Sequence, residues 1–438
     1  MTTAEPRGAS TSTRREAGLS REAPTSRRQL LRAAGALGIG SALAATGCAS
    51  SAANAGGSHV ARTTDGPTQV PTRPFGRSGE RVSALALGGY FDALANQDLL
   101  ADALALGVNY WETTLSFGGK GYGEYFRRHP EDRQRVFLLA KTNGASPEQM
   151  EQDLRTTLAD VGTSHVDFFI IGSIRDGSLL TPEVQRWVEA AKDTQKIRHF
   201  GFSTHSNMEE CLLLASRLGW IDGVLTTYNY RLKHRPAMRE AVDACAERGI
   251  AITAIKSQAL DTNPEATIGE ETDEATEALR SHLAGGRDLF QARLHAVWEN
   301  PQISSICSMM TDRGLLHANA RAALGGEPGA TGAALAGASA LGRVALGMGA
   351  PRPSRRYCAG CASVCEGALD APLPVADVMR YLMYARSYGD RERARREFAA
   401  LPAEVREALS MQDYRVAERR CPEQLPIGRL MREASLEL

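Results

Sequence analysis

Three cysteines stand close together at Cys358, Cys361 and Cys365, and a fourth, Cys421, follows much later in the chain. With 8 cysteines in 438 residues the chain is too sparse in them for a disulfide scaffold. Their clustering towards the end points to metal chemistry instead. Cys211, Cys245 and Cys307 fall within apolar helical or strand patterns and are expected in the core.

A second group of chemically able residues closes a series of short apolar runs. From Arg81 onward such runs alternate with longer stretches of helical period, the pattern of parallel βα units. The runs are Val82 to Leu87, Val108 to Thr113, Val136 to Lys141, Val166 to Ile171, His199 to Ser203, Gly223 to Tyr228, Ile250 to Ile255 and Ile303 to Cys307. Helices are expected between them, for example Pro147 to Val161 behind an N-capping Ser146 and Pro182 to Thr194 behind Thr181. A doubly wound sheet would carry a Gly-rich fingerprint after its first strand, and Gly88-Gly89-Tyr90 is none. The fold class is therefore α/β, a closed eightfold TIM barrel. In such a barrel the strand ends meet at one mouth, where chemistry is expected. Those ends are Glu112, Lys141, Gly172, Ser203, Tyr228 and Lys256.

Composition narrows the remaining possibilities. At 43% hydrophobic and 23% charged residues, the chain can bury a large core. Its 51 basic residues balance 51 acidic ones, which removes the field that nucleic-acid binders use, so no nucleic-acid partner is expected. A small-molecule substrate or an electron-transfer partner is expected instead. Beyond the N-terminal region no stretch reaches the roughly 18 apolar residues of a membrane span.

Ser26-Arg27-Arg28-Gln29-Leu30-Leu31-Arg32 opens a short apolar run that ends at Ala45-Thr46-Gly47-Cys48. Residues 1–48 thereby resemble a twin-arginine export signal followed by a bacterial lipobox, with Ala45 where a larger aliphatic is usual. The resemblance implies a periplasmic or other extracytoplasmic location, with Cys48 as a lipidated anchor on a membrane surface. Residues 49–70, rich in Ser, Ala, Gly and Thr, are expected to be a flexible tether.

Residues 73 to about 325 carry several ordered motifs: Arg73-Pro74-Phe75-Gly76-Arg77-Ser78-Gly79, Gly107-Val108-Asn109-Tyr110-Trp111-Glu112-Thr113-Thr114, Ala140-Lys141-Thr142, Gly201-Phe202-Ser203 and Tyr228-Asn229. In them the segment assigned to the barrel, 71–325, resembles the aldo/keto reductase family, whose members reduce carbonyls with NADPH inside a TIM-type barrel. The family's tyrosine acid, its lysine, the carboxylate that holds the lysine, and a histidine would fall at Phe117, Lys141, Glu112 and Gly172. Only Lys141 is retained, with Glu112 a longer acid, so the implied catalytic residues are Glu112 and Lys141. Tyr122, in an expected Gly-rich loop, and His205 are candidate substitute proton donors. Ser203, Lys256 and Asn319 match the family's cofactor positions, while Leu225 replaces a common glutamine. NADP is implied by the family and disfavoured by these departures.

Residues 326–356 read as a Gly/Ala-rich connector with one helix between Ala333 and Leu346. Residues 357–438 resemble the ferredoxin-like tail of one aldo/keto reductase branch, which carries two 4Fe-4S clusters. In such tails the fourth cysteine of each run serves the other cluster. Cys358, Cys361, Cys365 and Cys421 form one complete set, whereas the other set would fall at Leu369, Met411, Tyr414 and Ala417. The resemblance implies a single 4Fe-4S cluster. Three residues separate Cys361 from Cys365 where the family has two, so a four-thiolate zinc site or metal-free thiols remain as alternatives. Val375 to Tyr388 and Arg391 to Leu401 are expected helices of a small domain that covers or leans on the barrel.

Three functions follow as expectations. The first is an oxidoreductase of aldo/keto reductase type with one cluster and an altered active site. The others are an inactive barrel that binds a ligand or partner beside a structural metal, and an NADPH carbonyl reductase with a substitute donor. Export and cluster agree, because the twin-arginine route carries folded, cofactor-loaded proteins.

Overall fold

The computed structural model of the chain describes residues 68–114, 118–144, 146–259, 274–325 and 357–438. The expected leader (1–48), most of the tether, the connector (326–356) and Phe117 lie outside the described residues. Among the described residues no helix is long and apolar enough to cross a membrane.

A short antiparallel hairpin of β1 (Thr72–Pro74) and β2 (Arg81–Ser83) precedes eight parallel strands. These are β3 (Leu85–Gly88), β4 (Tyr110–Glu112), β5 (Phe137–Thr142), β6 (Val166–Ile174), β7 (Ile197–Thr204), β8 (Gly223–Thr227), β9 (Ala251–Ile255) and β10 (Ile303–Met309). They pair in chain order, and β10 closes on β3 to complete the barrel. One expected strand is corrected. The run Val82 to Leu87 is two elements, because the Ser83 hydroxyl donates to the Leu85 carbonyl (2.7 Å) and accepts from the Asn109 amide (3.1 Å), turning the backbone between β2 and β3.

Nine helices are described around the barrel: α1 (Gln97–Ala105), α2 (Lys120–Arg128), α3 (Pro147–Val161), α4 (Pro182–Asp193), α5 (Met208–Leu218), α6 (Pro236–Glu247), α7 (Glu274–Ala284), α8 (Leu289–Trp298) and α9 (Arg313–Ala323). Ser146 and Thr181 cap α3 and α4 as their sequences require, each accepting from a backbone amide three residues on at 3.3 Å. Proline follows each cap at the first helical position. The long interval before β10 holds both α7 and α8.

The barrel interior is a packed layer in which Phe75, Tyr110, Phe137, Leu139, Phe168 and Ile170 interdigitate. Phe75 arrives from the hairpin and plugs the end where the strands begin, with its ring centroid 4.7 Å from that of Phe137 and 5.0 Å from that of Phe168. That end is sealed by apolar contact, which leaves the opposite mouth for chemistry.

The C-terminal residues fold into α10 (Ala362–Cys365), α11 (Val375–Arg386), α12 (Arg391–Ala399), α13 (Ala403–Met411), α14 (Arg415–Arg420) and α15 (Ile427–Glu437). Both expected helices form, as α11 and α12. Helix α11 is apolar on almost every face and is buried nearly throughout, and its core is continuous with the layer between barrel and helices.

Candidate functional site

Glu112 ends β4 and Lys141 stands one residue before the end of β5, and the register Glu112↔Leu139 places them on one rim. Lys141 Nζ lies 2.6 Å from Glu112 Oε1. The other carboxylate oxygen accepts from the Gly89 amide at 3.1 Å and from the Cys307 thiol at 3.5 Å. Burial drives the Glu112 carboxyl upward, but Lys141 and the Gly89 amide outweigh it and hold it below the usual carboxylate range. Burial likewise pulls Lys141 down, and Glu112 more than restores it. The pair is therefore ionised. Cys307, expected in the core, instead faces this pair; burial and the neighbouring carboxylate push its thiol well up, so it donates rather than ionises.

The other nominated groups separate into those at the mouth and those tied elsewhere. Tyr122, expected in a mobile loop, is corrected: it sits within α2, 1% exposed, its hydroxyl donating to the Glu112 carbonyl at 2.8 Å and its ring packed on Trp111. A Cβ at Gly172 would stand 2.6 Å from Asn143 Oδ1, so a side chain there requires the Asn143 amide to shift. Ser203 accepts from the Ser173 amide at 2.8 Å, and Asn319 on α9 donates to the Ser308 hydroxyl at 3.1 Å. Tyr228 hydroxyl accepts from Asn300 at 3.0 Å. His205 follows β7 with its Nδ1 3.0 Å from the Thr227 hydroxyl. Burial, then the charges of Arg380, Lys256, Lys141 and Arg393, hold it well below the usual histidine value, so it is a neutral imidazole at pH 7.

Arg380 and Arg393 belong to the C-terminal helices, and this is the feature that the sequence patterns did not reveal. The module covers the mouth. Arg175 after β6 pairs with Glu366 and Asp377. Asn229 after β8 donates to the Tyr357 hydroxyl at 2.7 Å, and the Asn207 amide after β7 donates to the Gly360 carbonyl at 2.7 Å. Gly360 needs its left-handed backbone, φ 73°, and its bare Cα, because a Cβ would meet the His205 carbonyl at 2.8 Å. Lys256, after β9, has Nζ 4.9 Å from the centroid of the Tyr384 ring and 5.9 Å from that of Tyr388. On the rim Tyr90 takes Arg393 over its ring at 4.2 Å and hydrogen-bonds Arg396.

Glu112, Lys141, His205, Lys256 and Cys307 lie deep in the protein, yet each keeps accessible surface, 12% and 22% of the side chain for Glu112 and Lys141. These partly accessible side chains border the space, here termed the chamber, where the strand ends meet the module. Ser173, Asn207 and Lys256 on its rim all adopt left-handed backbone at φ 54°, 51° and 59°, the strained conformation that accumulates where geometry is over-determined for function.

Beside the chamber, Cys358, Cys361, Cys365 and Cys421 line one small cavity of about 20 Å³, walled by Val375, Met379, Leu425 and Ile427, with Glu423 the acid at its edge. The turn between α14 and α15 brings Cys421 to the other three. Helix α10 winds the extra residue between Cys361 and Cys365 into one helical turn, so that the Cys365 sulfur lies 3.8 Å from the Cys361 carbonyl. Burial pushes the Cys361 thiol up to about 11 and that of Cys365 up to about 12, so thiolates form there at neutral pH only opposite a cation. Arg235 bridges Glu423 (2.6 Å) and Glu209 (3.4 Å), fastening this corner to the barrel.

The chain is similar in fold to a putative aldo-keto reductase from Pseudomonas aeruginosa, at 21% identity over 59% of this chain and 96% of that one, with a TM-score of 0.45. It is also similar to the holo form of aldo-keto reductase AKR11C1 from Bacillus halodurans, at 20% identity over 64% of this chain and 98% of that one, with a TM-score of 0.48. The model of the aldo/keto reductase family matches residues 84–304, half of the sequence. The chain belongs to the aldo/keto reductase family.

Proposed function

We propose that the chain is an exported oxidoreductase of aldo/keto reductase type that holds one 4Fe-4S cluster on Cys358, Cys361, Cys365 and Cys421 and works through a site rebuilt between the barrel mouth and the C-terminal module. The observation that carries this reading is the single apolar cavity lined by all four sulfurs. Zinc, with bonds of about 2.3 Å, draws four thiolates to within about 3.8 Å of one another. Among the described residues no three of these sulfurs lie mutually within 4.8 Å. Cys358, Cys361, Cys365 and Cys421, all on one apolar cavity, would hold an iron–sulfur cluster through their thiolates. When bound, it would take up and release single electrons. Val375, Met379, Leu425 and Ile427 keep water from the sulfurs, and the Gly360 turn docks the thiolate loop against the His205 loop.

A nicotinamide nucleotide is not part of this reading, since Lys256, one of its expected contacts, packs against Tyr384 and Tyr388 of the chain's own module. Fluorescence titration with NADPH is expected to show no saturable quenching at millimolar cofactor; saturable quenching would restore the NADPH reductase reading. Anaerobically purified protein is expected to contain about four iron and four sulfide per chain. One zinc per chain without sulfide would overturn the cluster. The leader supports export: Arg27→Lys with Arg28→Lys is expected to retain the precursor in the cytoplasm, and Cys48→Ala to release the exported protein from membranes. Fractionation unchanged by either variant would contradict the leader's reading.

A further inference from the structure

We propose that Tyr384, carried into the barrel mouth on α11, is the proton-transfer group of the chamber, with Lys256 and Arg393 positioned to hold the phenolate it leaves. The inference rests on the reading of the mouth as a reaction site and not on the identity of the metal.

Tyr384 is 2% exposed. Its ring lies 4.9 Å from Lys256 Nζ and 4.2 Å from the Arg393 guanidinium carbon, and Arg393 Nη2 stands 3.5 Å from its hydroxyl. Tyr388 stacks beside it at 6.2 Å with an interplanar angle of 23°, fixing the ring. The charges facing it are Lys256 from the end of β9, Arg380 from its own helix, and Arg393 and Glu397 from α12. Glu397 is the only acid among them, and it lies 3.7 Å from Arg393. Lys256 has no carboxylate partner among the described residues; its ammonium lies over the Tyr384 ring.

An ammonium buried without a counter-ion is costly, and a phenol that can become phenolate supplies one. Burial would raise Tyr384, but Lys256, Arg380 and Arg393 outweigh it and draw the phenol below its usual value. Burial, with the same arginines, draws Lys256 down as well. Both groups are drawn down from ordinary values of about 10 and 10.4. Tyr122 cannot play this part, because its hydroxyl is committed to the Glu112 carbonyl.

In the forward step the Tyr384 O–H bond breaks and its proton forms an O–H bond on a ligand oxygen in the chamber. The electron pair stays on the phenolate, opposite Lys256 and Arg393. No oxidation state changes, and the reverse transfer restores the phenol. Lys141, Lys256, Arg380 and Arg393 outnumber the Glu112 carboxylate around the chamber, so the chemistry it favours is a carbonyl or oxyanion oxygen.

The test is a pH titration of the iron-loaded protein carrying Cζ-labelled tyrosine, followed by carbon NMR, with iron and sulfide measured on every sample. One tyrosine is expected to ionise below about 10, the ordinary value. Its signal should disappear in Tyr384→Phe with iron content unchanged, rise at least tenfold in proton affinity in Lys256→Met, and return in Lys256→Arg. Tyrosines that all ionise at about 10 or above, or a low-titrating signal that survives in Tyr384→Phe, would overturn the assignment. Zinc-loaded protein that still shows the signal would overturn the cluster and leave Tyr384 in place. If Tyr384→Phe does not fold, Lys256→Met and Lys256→Arg decide the matter by the same shift.

Discussion

Lys141→Met is expected to destabilise the protein by about 3–5 kcal/mol near neutral pH, because it strands the Glu112 carboxylate without its partner. The sign with pH follows from the directions of the shifts. In the native chain Glu112 is held below its usual value, so its contribution to stability is present above the unfolded carboxylate pKa of about 4.3 and is lost as pH falls through the lowered folded value. In Lys141→Met burial is opposed only by the Gly89 amide and the Cys307 thiol and raises Glu112, so the folded state keeps a proton that the unfolded chain releases. The difference between the two proteins should therefore be small near pH 4 and widen as pH rises. Denaturant unfolding across that range measures it, and Lys141→Met with Glu112→Gln should recover most of the loss. A deficit that does not vary with pH would show that Lys141 acts by packing alone.

Cys421→Ser carries the second large effect. The residue ends α14 and is the one thiol of the four supplied from outside the 358–365 run, so its loss breaks the ligand set while sparing the local loop. Bound iron is expected to fall from about four per chain to less than one. The proposed metal would tie the end of α14 to α10, and structural metal sites contribute on the order of 10 kcal/mol to folding. Limited proteolysis should accordingly cut the variant first within the C-terminal module and leave the barrel intact, whereas Cys245→Ser, a buried core thiol, should retain its iron. Iron content equal to that of the native chain would place the fourth ligand elsewhere.

Much of the scaffold is legible in the sequence because a parallel barrel repeats one local rule. Each strand is a short apolar run, each helix has a 3.6-residue period and several open on a side-chain cap, and neither depends on distant contacts. The run around Ser83 is misread for the same reason: its alternation is continuous, and only the hydroxyl contacts with Leu85 and Asn109 show where it turns. Glu112 and Lys141 are found because strand ends converge. The pairing of Cys307 with Glu112, and the locking of Tyr122, depend on which face of a strand or helix meets the mouth, and an apolar pattern does not state that. Tyr384, Arg380 and Arg393 are missed because they come from a different part of the chain. One signal was available: α11 is apolar nearly all round yet carries Arg380 and Tyr384 four residues apart, on one face. A buried helix with such a pair needs polar partners, and a barrel mouth of like residues offers them.

The account stands on metal held by four thiolates from two separate segments, next to a chamber that the same module closes. Anomalous diffraction at the iron edge, from crystals grown without oxygen, tests this most directly. The expected result is one compact group of iron centres between Cys358, Cys361, Cys365 and Cys421, with α11 lying over Lys256. Anomalous signal confined to a single tetrahedral zinc, or no signal between those sulfurs, would contradict it.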